Sequence, residues 1–114
     1  MLPRKHRLTR SADFGRVHAR GRCWSDSRIV VCRLRNDLPY SRFGFSVSRR
    51  IGNAVTRNRV RRLMREVVRM HHDLVEPGWD VVLIARRGIG GADYWAVERS
   101  VSHLFGVARL YKET

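Results

Sequence analysis

The chain has 114 residues, enough for one domain with a modest hydrophobic core and too few for two. It carries 24 Lys and Arg residues against 10 Asp and Glu, and its 43% apolar content excludes a wholly disordered chain. The length predicts a single domain, residues 1–114, and the formal net charge of +14 predicts that its partner is a polyanion, either nucleic acid or an anionic membrane. Only Lys5 and Lys112 are lysine. Arginine suits RNA because its planar fork binds phosphate and stacks on bases, although genomic base composition would also favour it throughout a chain.

The two cysteines, Cys23 and Cys32, lie in or beside apolar sequence, with no C-x-x-C motif and no nearby histidine pair. This pattern favours buried free thiols in a reducing cytoplasm over a disulfide bridge or a metal site. Residues 1–10 are basic with no apolar segment after them, which predicts an irregular arm rather than a secretory signal. No apolar run reaches the roughly 18 residues of a membrane span. We expect a soluble, cytoplasmic protein with no membrane partner.

The first half of the chain predicts a helix followed by two strands. Ser11 is a candidate N-cap, Asp13 lies where the helix dipole favours an acid, and Gly21 is a candidate C-terminal stop. The β-branched run 24–34 predicts a strand, and the alternating run 42–48 predicts its hairpin partner. A break in the first run could contain one further strand.

The second half predicts a helix, a strand and a final helix. Apolar residues recur at helical spacing before Pro77, namely Val60, Leu63, Met64, Val67, Val68 and His71. The continuous apolar run 79–85 predicts a central strand that is buried on both faces. Asp93 is a candidate N-cap for the final helix. The order α-β-β-α-β-α predicts an α+β fold with helices packed on a small sheet.

The segment from Arg49 to Arg69 combines the apolar stripe of the second helix with eight arginines and a single acid, Glu66. Helical spacing places Arg57, Arg61 and Arg65 in one row, on a side of the helix that the apolar stripe does not occupy. Beside this row lie Asn58, Arg62 and Arg69. A solvated face would interleave Glu with Arg, so the pattern favours nucleic-acid binding over a plain solvated face.

The residues that precede this helix also suit phosphate binding. In Arg49-Arg50-Ile51-Gly52-Asn53, glycine permits a positive φ, and the N–H groups at a helix start bind anions. Asn58 is a poor helix former, so its amide is predicted to reach a base edge or a ribose, with local capping as the alternative.

A second candidate surface lies on the first helix, where Phe14 and His18 share one face near an arginine-rich strand. Aromatic rings interleaved with arginine stack on single-stranded nucleic acid, but Phe14 as plain core fits the periodicity equally well. The acids and histidines form no catalytic or metal-ligating spacing, so we predict no catalytic residue on this chain.

The stretch FSVSRRIGNAVTRNRVRRLMRE, residues 45–66, resembles the RNR motif of the protein component of bacterial ribonuclease P. Further matches follow the same order along the chain: RLTRSADFGRVHARG, VVLIARRG and SVSHLF. The resemblance implies a four-stranded sheet with three helices, α-β-β-β-α-β-α, in a ribosomal protein S5 domain 2-like fold with a left-handed β-α-β crossover. It also implies a subunit that binds the catalytic RNA and the 5′ leader of precursor tRNA. The partner RNA would remove the leader and hold most of the Mg2+.

The resemblance assigns roles to residues as well. Those expected to bind the catalytic RNA are Arg49, Arg50, Asn53, Arg57, Asn58, Arg59, Arg61, Arg62, Arg65 and Arg69. Those expected to bind the leader are Phe14, Arg16, His18 and Arg33. His18 and Cys32 stand where the family often has an aromatic residue; because a thiol does not stack, the contact could shift towards Arg16, Arg33 or Trp24.

Three alternatives remain open at the level of sequence. A ribosomal or assembly-associated RNA-binding protein would bind ribosomal RNA and leave leader removal unaffected. An independent nuclease would cleave RNA without a partner. A DNA-binding helix module would need a helix-turn-helix or a dimer seam, and the strands on both sides of the basic helix argue against it, so DNA is not an expected partner.

Overall fold

The computed structural model describes residues 2–113, which form three α-helices and four β-strands. The helices are α1 (Ser11–Arg20), α2 (Ala54–His71) and α3 (Tyr94–Val107). The strands are β1 (Arg22–Ser25), β2 (Ile29–Arg35), β3 (Arg42–Ser46) and β4 (Trp79–Ala85). Their order, α-β-β-β-α-β-α, confirms the α+β fold and the topology that the resemblance implies.

The four strands form one sheet in the order β1-β2-β4-β3. The strand β4 is antiparallel to β2 and parallel to β3, to which α2 connects it. The predicted hairpin between β2 and β3 is therefore wrong, because β4 lies between them. The continuous apolar sequence of β4 explains its place, since only a central strand is buried on both faces. The left hand of the crossover stays a prediction.

The run 24–34 is not a single strand, because a turn divides it. The carboxylate Oδ1 of Asp26 accepts hydrogen bonds from the backbone N–H groups of Arg28, at 2.8 Å, and Ile29, at 2.9 Å. These bonds stabilise the turn between β1 and β2. The turn at Asp26 therefore divides the run into two strands, and the sheet has four strands in all. The hydrogen bonds of Asp26 outweigh the effect of burial, so the pKa of Asp26 lies below its usual value.

The turn also brings the two cysteines together. Cys23 lies directly opposite Cys32 in the antiparallel pair β1–β2, and the two form a disulfide bond. The prediction of free thiols is wrong for a physical reason: an unbroken strand, rising about 3.3 Å per residue, would hold the two cysteines far apart.

Helices cover both faces of the sheet and create two hydrophobic clusters. The larger cluster lies under α2 and α3 and contains Phe43, Met64, Val81 and Phe105. The smaller cluster lies under α1 and consists of Leu8, Val17, Cys32 and Val82. Adjacent residues of β4 join different clusters, which confirms that this strand is central.

The ends of the helices partly match the sequence patterns. The helix α1 begins at Ser11 with Arg10 as its N-cap, so the predicted serine cap is wrong by one position. The helix α3 begins after Asp93, whose Oδ1 accepts a hydrogen bond from the Ala96 N–H at 2.9 Å, as predicted. Among residues 2–113, no helix is both long and apolar enough to cross a membrane.

The basic N-terminal arm is attached to the sheet. Leu2 is fully buried in the larger cluster, and residues Arg4–His6 form a short 3₁₀ turn. Arg7 then pairs with Phe43 along the free edge of β3. The arm therefore adds a further cation, Arg7, to this edge of the molecule.

Candidate nucleic-acid interface

The start of α2 follows a tight backbone reversal. Arg49 and Arg50 lie exposed in a 3₁₀ turn, and Gly52 then adopts a φ of 156°, a conformation that side chains rarely permit. The Oδ1 of Asn53 accepts a hydrogen bond from the Thr56 N–H at 2.9 Å and so caps the helix. Two exposed arginines thus lie within five residues of the N-terminus of α2, an arrangement that suits a phosphate.

Arg57, Arg61 and Arg65 form the predicted row, but the structure places them at the margin of the core, where each is half-buried. The guanidinium of Arg65 lies 5.8 Å from the ring centroid of Phe45 on β3. Burial, together with the neighbouring Arg7 and Arg61, lowers the pKa of Arg65. Like charges held this close destabilise the protein alone, and an anion relieves the repulsion.

The outward side of α2 carries the exposed residues Asn58, Arg59 and Arg62. The Oδ1 of Asn58 accepts a hydrogen bond from Arg61 Nη1 at 2.9 Å, so the cap of α2 is Asn53 and not Asn58. Asn58 instead orients an arginine of the row. Arg69 lies 2.6 Å from Glu66, and this ion pair makes it the least available of the predicted arginines.

A buried ionic network fixes α1 on its sheet face. Arg42 donates to both carboxylate oxygens of Asp80, at 2.9 and 2.7 Å, and lies 3.7 Å from Asp13 of α1. Asp80 also accepts from the Asn36 amide at 2.9 Å, and Asp13 pairs with Arg16 at 2.8 Å. The hydrogen bonds to Asp80 raise the pKa of Arg42. Sequence reasoning missed this network; the acid within the apolar run of β4 was its only clue, since a buried charge needs a partner.

Part of the sheet face beside α1 stays open to solvent. The ring of Phe14 lies on Gly44, where a Cβ would come within 2.5 Å of the Phe14 Cζ. In the next row across the sheet, Val30 and Ser46 each pair with Ile84, and all three residues are only half-buried. We call these three residues the open row. The chain runs from Ser46 to Arg49 in three residues, so the open row adjoins the basic start of α2.

The structure brings together only part of the predicted leader site. Phe14 and His18, four positions apart, share one side of α1, and His18 is exposed. Arg16 is exposed on another side of the helix, where it pairs with Asp13.

The other predicted positions lie away from this surface. Arg33 pairs with Val81 on the opposite sheet face, and Trp24 lies on that face too, so neither adjoins Phe14. Cys32 is 1% exposed beneath α1 and is disulfide-bonded. These placements correct the expectation that the leader contact shifts towards Arg33 or Trp24, since both side chains face away from α1.

A small α+β domain with an arginine-rich helix that starts beside an open sheet face defines an RNA-binding protein. The family model for Ribonuclease P matches residues 2–109. The ribonuclease P protein component of Clostridioides difficile is 39% identical over 98 residues, which is 85% of this chain and 86% of that protein. The ribonuclease P protein component of Clostridium kluyveri is 38% identical over 109 residues, which is 94% of this chain and 97% of that protein.

Solved structures agree with the sequence comparison. The RNase P protein of Staphylococcus aureus superimposes with a TM-score of 0.86 at 29% identity, covering 94% of this chain and 98% of that one. The RNase P protein of Thermotoga maritima superimposes with a TM-score of 0.79 at 30% identity, covering 86% of this chain and 93% of that one. The chain belongs to the family of ribonuclease P protein components. It is a subunit of the endoribonuclease that matures the 5′ end of tRNA, in which the catalytic RNA is a separate subunit.

Proposed function

We propose that α2 and the turn before it bind the catalytic RNA, while α1 and the open row bind the 5′ leader of precursor tRNA. The proposal depends on one observation, the adjacency of the open row and the basic start of α2. A protein with this arrangement screens the repulsion between two polyanions. It also adds contacts that mature tRNA lacks, which favours substrate over product.

The catalytic RNA is bound, in this proposal, by two sets of residues with different roles. The exposed set provides phosphate contacts and consists of Arg49, Arg50, Arg59 and Arg62. The half-buried row of Arg57, Arg61 and Arg65 supplies cations that the fold holds in place, so less side-chain entropy is lost on binding. Asn53 and Asn58 position these groups, and Arg69 contributes at the rim.

The leader site has the composition of a sequence-tolerant single-strand site. Phe14 and His18 offer ring faces for bases, and Val30 and Ile84 provide an apolar floor. Arg16 supplies a cation at the side. Stacking of this kind accepts any base, which suits leaders of differing sequence.

Magnesium enters the proposal through the partner RNA. Among residues 2–113, no group of three or more His, Cys, Asp or Glu side chains could hold a metal ion. No step is therefore assigned to a metal on the protein. We place the reaction in the cytoplasm, where precursor tRNA is processed, and expect no membrane or DNA partner.

The assignment of α2 is tested by the salt dependence of binding to the cognate ribonuclease P RNA. Replacing Arg57, Arg61 and Arg65 with alanine should flatten the plot of log K against log[salt] by about 0.9 for each duplex phosphate that the variant no longer binds. A second variant, R59Q/R62Q, tests the exposed set. The control R4Q/R99Q removes two exposed arginines outside both sites. Thermal unfolding monitors folding, and a slope unchanged in both α2 variants would contradict the assignment.

The wider function is tested by leader removal from precursor tRNA at low magnesium. Catalytic RNA alone, protein alone and the two together are compared. We expect cleavage only with both. Cleavage by protein alone would identify an independent nuclease, and unchanged cleavage with tight binding to ribosomal RNA would identify a ribosomal assembly protein.

A further inference from the structure

A second cationic surface lies on the sheet face opposite α1. Arginine and tryptophan alternate across β1, β2 and β4 in the order Arg22, Trp24, Arg33, Trp79 and Arg35. The distances from guanidinium carbon to indole centroid along this order are 5.3, 5.2, 4.1 and 4.0 Å. We call these five residues the ladder. Each guanidinium lies within the roughly 6 Å at which cation–π attraction operates.

The charge of the ladder is not neutralised by neighbouring acids. Arg109, just beyond α3, adds a fourth arginine, and among residues 2–113 none of the four forms an ion pair with an acid. Burial and then the charges of Arg22, Arg35 and Arg109 lower the pKa of Arg33. The Nε of Arg33 is buried without a hydrogen-bond partner among the described residues. The cluster therefore repels itself in the protein alone.

Two hollows flank Arg109 beside the ladder. One, of about 310 Å³, is lined by Arg22, Trp24, Arg33 and the end of α3. The other, of about 550 Å³, is lined by Arg35, Trp79, Arg109 and Tyr111, and also by two acids, Glu76 and Glu113. Arg22, Arg35 and Arg109 are exposed, so solvent reaches the cations from both hollows.

The ladder is remote from the RNA surface at the start of α2. Arg35 and Trp79 lie at the Trp79 end of β4, whereas Arg49 follows β3 beyond the Ile84 end, because β3 and β4 are parallel. Arg22 and Trp24 lie on β1, at the opposite edge of the sheet from β3. The seven residues of β4 span about 20 Å at 3.3 Å per residue, and three strand spacings of about 4.8 Å each separate β1 from β3. A single phosphate cluster does not span both sites.

We propose that the ladder is a second RNA-binding site, which holds a segment of the partner RNA distinct from the one at α2. Stacking on indole uses the face of a guanidinium and leaves its N–H edge for phosphate oxygens. The outer face of an exposed arginine remains available to a nucleobase. The proposal rests on the proposed function only in taking the catalytic RNA as the partner.

The test measures binding to the cognate ribonuclease P RNA over about 50 to 200 mM NaCl, a range in which phosphate contacts alter affinity strongly. Two of the three exposed arginines, Arg22 in the ladder and Arg109 beside it, are replaced in R22Q/R109Q, with R4Q/R99Q as the control of equal charge. The salt slope should fall by about 1.8 in R22Q/R109Q, since two duplex phosphates are no longer bound, and by much less in the control. The variant R22K/R109K should keep most of the slope but bind several-fold more weakly, because lysine neither stacks nor forks.

Equal slopes in R22Q/R109Q and R4Q/R99Q would overturn the proposal. If the α2 variants flatten the slope while R22Q/R109Q matches its control, the proposed function stands and the ladder is not a site. If no variant differs from the control, both fail. Modification of the unsubstituted protein by an arginine-specific dicarbonyl reagent gives a second measurement. RNA should protect Arg22 and Arg109 but not Arg99, and equal modification of all three would also overturn the proposal.

Discussion

At the scale of single residues, buried charges and close contacts determine where α1 lies. Asp80 is 2% exposed, and its carboxylate is satisfied by Arg42 and Asn36. Removing one member of a buried ion pair costs about 3–5 kcal/mol, because the other charge is left unpaired. Periodicity predicted that this strand is buried but could not identify the partner of its acid, which lies 38 residues away in sequence.

Gly44 offers a test of the leader site at this scale. In G44A the new Cβ would meet the Phe14 ring, so the ring must move, and such overpacking costs about 1–3 kcal/mol of unfolding free energy. We expect G44A to lose preference for precursor over mature tRNA while still binding the catalytic RNA. The matched control is G15A on α1, because a Cβ there meets nothing within 4 Å. Equal leader preference in the two variants would contradict the role of Phe14.

At the scale of elements, patterns within one segment were predictive and pairing between segments was not. Helical spacing located α2 and α3, and the apolar run located β4. A break in the run 24–34 was anticipated but not located, because its turn depends on the Asp26 carboxylate rather than on glycine or proline. The hairpin of β2 with β3 failed because β4, distant in sequence, competes for the same edge.

The cap of α2 separates a structural role from RNA binding. N53A should lower the unfolding free energy by about 1 kcal/mol, because the Thr56 N–H loses its acceptor, while N53S should retain most of the stability. Chemical denaturation measures both, with N58A as a control expected to change stability by less than about 0.5 kcal/mol. If Asn53 also contacts RNA, N53S will be stable and yet bind the catalytic RNA more weakly. Equal affinity of N53S and the unsubstituted protein would restrict Asn53 to capping.

At the scale of the whole molecule, the chain has a formal net charge of +14, and many of its arginines lie in two separate clusters, at α2 and at the ladder. Arg33 and Arg65 each have a pKa lowered by burial and by neighbouring arginines. Composition predicted an anionic partner but not the division of the charge into two surfaces. That division depends on strand register, which places Arg22 opposite Arg33 and Arg35 opposite Trp79.

This self-repulsion predicts how salt affects stability. Raising NaCl from about 10 to 100 mM shortens the Debye length from roughly 30 to 10 Å and should raise the melting temperature of the free protein by a few degrees. Calorimetry on the unsubstituted chain and on R4Q/R99Q, which carries two fewer charges, provides the comparison. The variant should show the smaller dependence. A melting temperature that falls with added salt would show that attractive ion pairs outweigh the repulsion.

The disulfide has a consequence that crosses the sheet. Because side chains alternate along a strand, Cys23 lies on the face of the sheet covered by α1, whereas its neighbours Arg22 and Trp24 lie on the opposite face, where they belong to the ladder. The strand β1 has four residues and pairs only with β2. The disulfide to Cys32 is the covalent cross-link that holds it against β2. A dithiol reductant that cleaved this disulfide on one face of the sheet would therefore make Arg22, on the other face, more mobile. The position of Arg22 in the proposed RNA site thus depends on the oxidation state of the Cys23–Cys32 disulfide, although that disulfide lies on the other face of the sheet.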